Sequence, residues 1–313
     1  MNKTTTSKFN YLFFILLALL WSGSFINIKV VVDHLPPVFC AMMRIFISMT
    51  ALFILFNLTG KKMFALPTRA WPIWLAGIFA QALPFGLLFY GEKFIAPALA
   101  SIINSTVSFW ALLLGTIFFR DFSQWTPLKL IGLLLGFFGI VLIFLPFIHQ
   151  GQSSLIGVIS VTGMAIAYAI GGLINQHMIF NKIEVPFETN LFQQHLISVI
   201  VLFIYSMIFE PWPSLSSILD IKVLSSFLYL GLMATAIAWV IYFYLLREWG
   251  AVRASSVMYI VPLLAICWDL IFLQLEPTRN ELIGMLAILM GVILIQWVRK
   301  PTSSQPVLQP LDR

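Results

Sequence analysis

Charged residues are scarce in this chain. They make up 10% of its 313 residues, whereas 60% are hydrophobic. A soluble domain carries about 25% charged residues, so this sequence cannot cover a water-exposed surface. A chain that crosses a bilayer must form helices or a closed barrel, because the bilayer core offers no other hydrogen-bond partners. Barrel strands alternate apolar and polar residues, whereas residues 130–147 are apolar on every side, which predicts helices.

Cysteines are few, and known catalytic motifs are missing. The only two cysteines, Cys40 and Cys267, lie in apolar stretches. They are expected to be small buried residues and not a disulfide framework or a metal site. The sequence has no Gly-x-x-x-x-Gly-Lys-Ser/Thr, His-Glu-x-x-His or Gly-x-Ser-x-Gly motif. It therefore predicts a protein that is not an enzyme and needs no cofactor.

Long apolar segments fill the chain instead. A bilayer core of about 30 Å requires about 20 helical residues, and ten segments are of about that length. The sequence therefore predicts an all-α polytopic membrane protein with ten transmembrane helices. The first segment is interpreted as a retained helix, because no small-residue cleavage pattern follows it. The ten segments are 11–32, 36–57, 71–90, 97–119, 127–147, 155–176, 190–209, 223–246, 254–274 and 282–298.

The basic residues indicate an orientation. The formal net charge is +6, but the lysines and arginines form no cluster, which argues against nucleic acid as a partner. If ten helices alternate in direction, most of these residues fall in loops on one side. Since cytoplasmic loops carry an excess of Lys and Arg, both termini are expected in the cytoplasm. The predicted location is the cell membrane, either inner or plasma, with the lipid bilayer as a partner.

The second half of the sequence repeats the first. Ala100-Ser101 has a counterpart in Ala254-Ser255, and a Leu-Ile-Gly sequence opens a later apolar segment in each half. The alternative is that any two strings of Leu, Ile and Gly look alike, but the matched order argues against it. Five helices per copy, an odd number, require the copies to insert with opposite orientation, as in many secondary transporters. The predicted boundaries are 9–148 and 153–299, followed by a cytoplasmic tail at 300–313.

Several motifs carry a resemblance to a known family. Trp21-Ser22-Gly23-Ser24-Phe25, the stretches 98–106, 231–239 and 245–251, and Val261-Pro262 occur in order along the chain. Together they resemble the EamA family of the drug/metabolite transporter superfamily. Two positions depart from its pattern: Ser108 replaces a usual proline, and Arg120-Asp121 replaces Gly-Glu. The first departure leaves open whether the fourth and ninth helices break symmetrically.

The resemblance implies a fold and a class of activity. It implies ten helices in two inverted five-helix repeats. Helices one to four of each repeat would surround a central cavity, and the fifth would pack outside it. It also implies export or exchange of small metabolites.

Two charged residues lie inside apolar segments. Arg44 is in the second segment and Asp269 in the ninth. A charge at the centre of a membrane helix costs about 2.5–3.5 kcal/mol, so such residues usually meet a partner or a water-filled cavity. A pair between Arg44 and Asp269 would supply that partner. The alternatives are contact of Arg44 with carbonyls of a neighbouring helix and extension of Asp269 to the nearby surface.

Polar and aromatic residues at similar depth are candidates for a substrate path. Any one of them alone could serve only to join helices by hydrogen bonds or to fill space. Taken together on several helices, they can line a cavity. Besides Arg44 and Asp269, the candidates are Trp21, Asn27, Gln81, Asn104, Thr106, Trp239, Tyr242 and Tyr259.

Other ionisable residues are expected at the membrane surface. Lys29, Glu92 and Lys93 stand near the ends of apolar segments, where long side chains reach the headgroups. His177 and His195 flank the loop between the sixth and seventh segments and are expected to be ordinary interfacial residues, although histidine can relay protons.

The sequence thus predicts a secondary transporter that exports or exchanges a small polar or amphipathic metabolite, amino-acid-like or drug-like, by alternating access. Either a proton gradient or substrate exchange could drive it, and the sequence leaves the oligomeric state open. Two alternatives come from other classes. One is an intramembrane enzyme acting on lipid through Arg44, Asp269 and the histidines, and the other is a membrane scaffold that transports nothing.

Overall fold

The computed structural model describes residues 3–65, 67–68, 70–95, 97–120, 122, 125–148, 155–180, 182–264 and 279–297. Within these ranges the regular structure is helical and includes no strand. Cys267 and Asp269 lie outside the described residues. The helices are numbered here α1 to α10 in chain order.

The first half of the chain contains helices α1 to α5, and three of these are composed of more than one segment. Their bounds are α1, Lys3–Ser22 and Ser24–Val32; α2, Pro37–Leu58; α3, Trp71–Gly77, a π-helical Ile78–Ala82 and Leu83–Glu92; α4, Pro97–Ser105 and Val107–Phe119; and α5, Pro127–Ile148.

The second half contains helices α6 to α10, and a one-turn helix, Leu215–Ile218, precedes α8. Their bounds are α6, Leu155–Ile174 with a π-helical Asn175–Ile179; α7, Phe187–Phe209; α8, Ile221–Leu228, a π-helical Tyr229–Ile237 and Ala238–Trp249; α9, Ala251–Ser255, a 3₁₀ turn Ser256–Tyr259 and residues 260–264; and α10, Arg279–Trp297.

Seven helical stretches are long enough and apolar enough to cross a bilayer, which makes this a multi-pass membrane protein. They belong to α1, α2, α3, α4, α6, α7 and α8. The three remaining apolar stretches, Pro127–Gly139, Ala251–Leu264 and Leu282–Ile295, are shorter among the residues searched. The number of ten crossings therefore stays a prediction.

The fourth and ninth segments of the sequence differ in proline, yet α4 and α9 are both interrupted, at positions that are adjacent in the alignment of the two halves. In α9, Pro262 cannot donate a hydrogen bond to the carbonyl of Met258. Ser105 of α4 donates to that carbonyl instead, at 3.1 Å. In α4 the interruption is a turn at Thr106 and needs no proline. Ser108, which stands where the family has proline, contacts Ser255 of α9 at 2.9 Å.

The helices α3 and α8 also share an irregularity, since each contains a π-helical segment near its middle. In α3 that segment directly precedes Leu83 and Pro84. A proline ring would clash with the carbonyl four residues earlier in a regular helix, and a wider turn relieves this clash. π-Helical turns leave backbone carbonyls without their usual partners and are frequent at functional sites.

The helices α5 and α10 pack against each other through glycines. A methyl group added to Gly132 would lie 2.7 Å from the carbonyl oxygen of Gly291, and one added to Gly139 would lie 2.6 Å from that of Gly284. Such close approach of two backbones is possible only where side chains are absent.

Candidate functional site: a small cavity between the repeats

A small cavity lies where both halves of the chain meet. Its volume is about 30 Å³, which is room for water and not for a metabolite. In this conformation the cavity is therefore too small for a metabolite. The lining side chains come from α1, α2, α3, α4, α6 and α9, and none of those described comes from α5 or α10. They are Trp21, Ser24, Phe25, Arg44, Phe85, Leu88, Asn104, Tyr168 and Met258.

Arg44 of α2 is fixed against the π-helical segment of α8. Its Nε donates to Thr235 Oγ1 at 2.7 Å, and its Nη2 donates to the carbonyl of Ala234 at 3.0 Å. Trp21 of α1 donates to the same carbonyl at 3.0 Å. The guanidinium also lies 4.2 Å from the centre of the Phe85 ring, a cation–π distance. A permanent positive charge is thus held at the cavity wall by acceptors that the π-helix exposes.

An aromatic cluster surrounds Trp239 behind the cavity. Its ring contacts those of Tyr242, Phe85 and Tyr168 with centroid separations of 5.5, 6.3 and 6.4 Å. Tyr242 in turn contacts Trp21 at 5.4 Å. The site therefore combines one buried cation with aromatic rings that contact it through Phe85.

Several buried polar atoms around the cavity have no hydrogen-bond partner within the described part of the chain. Two belong to lining residues, namely Ser24 Oγ and Asn104 Oδ1. Gln81 Oε1 and Trp239 Nε1 lie deeper. An unmade hydrogen bond away from water costs several kcal/mol, so these atoms are available to a ligand or to water. The described residues contain no group of three His, Cys, Asp or Glu side chains suited to a metal ion.

Comparison with known proteins agrees with this architecture. The EamA-like transporter family matches twice, over residues 8–145 and 155–297. The chain belongs to the EamA-like transporter family. The description of the family indicates a transporter.

Individual relatives of this EamA-like protein are distant but cover most of the chain. The Bacillus subtilis (strain 168) protein "Uncharacterized transporter YoaV" is 25% identical over 88% of this chain and 92% of its own. A "Probable amino-acid metabolite efflux pump" of Escherichia coli (strain K12) is 22% identical, with coverage of 90% and 92%. A solved crystal structure with 17% identity shares the fold, with a TM-score of 0.72 over 93% of this chain and 97% of that one.

The structure brings several of the predicted path residues together. Trp21, Arg44 and Asn104 line the cavity. Trp239 and Tyr242 form the aromatic cluster behind it. Gln81 is fully buried one layer away, where its Nε2 lies 3.2 Å from His195 Nδ1.

Three other candidates lie elsewhere. Asn27 donates to the carbonyl of Gly23 at 2.8 Å, within its own helix. Thr106 and Tyr259 line a separate apolar cavity of about 390 Å³ between α4, α5, α6 and α9. The exposed rings of Phe109 and Phe137 border this second cavity, so it opens towards the lipid side. Asp269 lies outside the described residues, and its pairing with Arg44 stays a prediction.

Two expectations about surface residues are wrong. Glu92 is not at the surface, since it is fully buried and neither carboxylate oxygen has a hydrogen-bond partner. His195 is not interfacial, because it lies well inside α7, with its Nε2 3.0 Å from Ser48 Oγ. Lys29 and Lys93 are partly or fully exposed, as expected.

Six of the lining side chains were not among the predicted path residues: Ser24, Phe25, Phe85, Leu88, Tyr168 and Met258. Met258 aligns with Asn104, and the two are in contact, with Asn104 Nδ2 3.0 Å from Met258 Sδ. The alignment with Asn104 was the sequence signal that could have identified Met258. Tyr168 stands alone as a phenol in the Gly- and Ala-rich α6, which marks it as unusual. Nothing in the sequence distinguishes Phe85 from the many other phenylalanines.

Proposed function

We propose that this protein is a secondary transporter that exports or exchanges amino-acid-like metabolites by alternating access. In this proposal both termini are cytoplasmic, and residues 9–148 and 153–299 are inverted repeats. The observation that carries the proposal is the Arg44 guanidinium at the wall of a small cavity lined by aromatic and apolar side chains.

The chemistry of the cavity suits a small amphipathic carboxylate. A guanidinium binds carboxylates through paired hydrogen bonds, and such charge-assisted bonds are the strongest available in proteins. Trp21, Phe25 and Leu88 offer apolar surface to a side chain. The name of the Escherichia coli relative supports amino-acid-like metabolites as the class.

The matched interruptions supply the means of opening. The breaks of α4 and α9 meet where Ser105 bonds to the Met258 carbonyl. Broken helices at a repeat interface are typical of transporters in which one half moves against the other. In this conformation the cavity has no room for a metabolite, so binding requires it to widen.

Leucine counterflow in proteoliposomes tests the substrate class. The full chain should exchange external labelled leucine for internal unlabelled leucine. Arg44→Gln should reduce the initial rate about tenfold or more, because it removes the charge that binds the carboxylate. Arg247→Gln, at an exposed position of α8, is the matched control and should leave the rate unchanged. Size-exclusion profiles establish that each variant is folded.

Absence of leucine exchange by the wild-type protein would contradict the proposed substrate class. Normal exchange by folded Arg44→Gln would remove the cavity from the path.

Thiol labelling tests which residues lie on the path. In a chain lacking Cys40 and Cys267, Asn104→Cys should react with a membrane-impermeant maleimide during turnover, because Asn104 lines the cavity. Tyr259→Cys should stay unlabelled, because Tyr259 is fully buried and faces the other cavity. Equal labelling of the two would contradict the separation of the cavities.

A further inference from the structure

Glu92 is a buried carboxylate that the proposed function has not used. It ends α3, its exposed fraction is 0%, and both of its oxygens lack hydrogen-bond partners. The two ion pairs among the described residues, Lys29–Asp33 and Lys61–Glu188, do not include it. An ionised carboxylate in such surroundings would be very costly, which favours the neutral, protonated group in this conformation.

The position of Glu92 relates it to the cavity. Residues three, four and seven apart share one face of a helix, and Phe85, Leu88 and Glu92 have this spacing. The first two line the cavity. Glu92 therefore continues the cavity-facing side of α3 by one further turn, towards the predicted outer surface.

The neighbouring helices place charges near this carboxyl group. Arg44 of α2 lies over the ring of Phe85, about two helical turns before Glu92 on the same side of α3, and Lys29 of α1 is the next cation. Lys29 is already paired with Asp33 at 2.8 Å, and Tyr168 of α6 lies near Arg44. On α4, Asn104 contributes an unpartnered oxygen. Arg44 is a buried cation that also lines the cavity, so its charge could balance an ionised Glu92.

We propose that Glu92 is the proton-carrying residue of this transporter, and that a proton and the ammonium group of the substrate bind its carboxylate in turn. This inference rests on the proposed function. A zwitterionic amino acid would then place its carboxylate on Arg44 and its ammonium on Glu92. Each charged group of the substrate would then have a partner of opposite charge in the widened cavity.

In this cycle, every proton that Glu92 releases on one side of the membrane is replaced by a proton from the other side. When the cavity faces the cytoplasm, Glu92 releases its proton to water and binds the substrate ammonium. When the cavity faces outward, an external proton takes the carboxylate and the substrate leaves. The protonated, closed form then returns. One proton enters for each substrate molecule that leaves, so a proton gradient would drive export.

Proteoliposomes loaded with a pH-sensitive dye test the coupling, with leucine as the probe. The wild-type protein should move protons when leucine is added, and its leucine affinity should rise with pH as Glu92 becomes ionised. In Glu92→Gln the leucine-dependent proton movement should be lost and the affinity should no longer change with pH. Glu92→Asp should restore both in part. Glu184→Gln, at an exposed loop position, is the control and should behave as wild type.

Leucine-dependent proton movement by folded Glu92→Gln would overturn the proposal while leaving the proposed function intact. A wild-type protein that moves no leucine would overturn the proposed function, and with it the shared site.

Infrared difference spectroscopy tests whether Glu92 is protonated, and it needs no substrate. The spectrum of the wild-type protein minus that of Glu92→Gln, recorded at neutral pH, should contain the carbonyl band of a protonated carboxyl group in an apolar environment. Absence of that band would show that Glu92 is ionised in the resting protein and would overturn the proposal.

Discussion

At the scale of single residues, the site depends on how a buried cation is satisfied. Arg44 is 2% exposed and receives its acceptors from the π-helical segment of α8, through Thr235 Oγ1 and the Ala234 carbonyl. This is the contact with neighbouring carbonyls that the sequence offered as an alternative to pairing with Asp269. Thr235 has two roles, because its hydroxyl accepts from Arg44 and donates to the Leu230 carbonyl at 2.7 Å.

The substitution Thr235→Val tests this arrangement. It keeps the shape of the side chain but leaves Arg44 Nε without its acceptor, which should cost about 1–3 kcal/mol. Thermal unfolding in detergent should show a lower midpoint. Thr50→Val is the matched control, since Thr50 is exposed and its hydroxyl bonds only to the Phe46 carbonyl of its own helix. Equal midpoints for the two variants would mean that the Arg44 contact adds nothing to stability.

At the scale of helices, two features belong to both halves of the chain. α4 and α9 are interrupted at adjacent positions of the alignment, and α3 and α8 both contain π-helical turns. Only one member of the first pair has a proline there. The symmetry of the breaks therefore does not depend on proline, and hydrogen bonds such as that of Ser105 to Met258 stabilise it.

The close packing of α5 and α10 gives a prediction at this scale. Gly132→Ala should destabilise the protein, because its methyl group would lie 2.7 Å from the backbone oxygen of Gly291 and the helices would have to separate. Gly86→Ala is the control, since its methyl group would meet only the end of Leu202 at 3.4 Å. The control should be neutral or slightly stabilising, because alanine favours helix by about 1 kcal/mol over glycine. Detergent unfolding midpoints that fall equally in both variants would contradict the glycine contact.

At the scale of the whole molecule, orientation is the remaining prediction. The bias of basic residues predicts that both termini are in the cytoplasm, with an even number of crossings. Reporter fusions at Gln152, between the two halves, and at the C-terminus should therefore report opposite compartments. Identical compartments would exclude an odd number of crossings in the second half and with it the inverted repeat.

The sequence by itself determined the class, the family and the need of Arg44 for partners. Scarce charge and long apolar segments permit only membrane helices, and ordered motifs identify the family. These features are local, so they can be recognised without knowing what each helix contacts.

Only the tertiary structure decided which residues share a cavity. Asn104 lines the central cavity, whereas Tyr259, one residue beyond the position aligned with Asn104, lines the other. A shift of one residue turns a side chain by about 100° around a helix, so depth and sequence spacing alone could not separate the two. Glu92 likewise looks like a surface residue from its place at a helix end. In the structure, neighbouring helices cover Glu92. Burial depends on what packs against a helix face, which the residues of that face do not reveal.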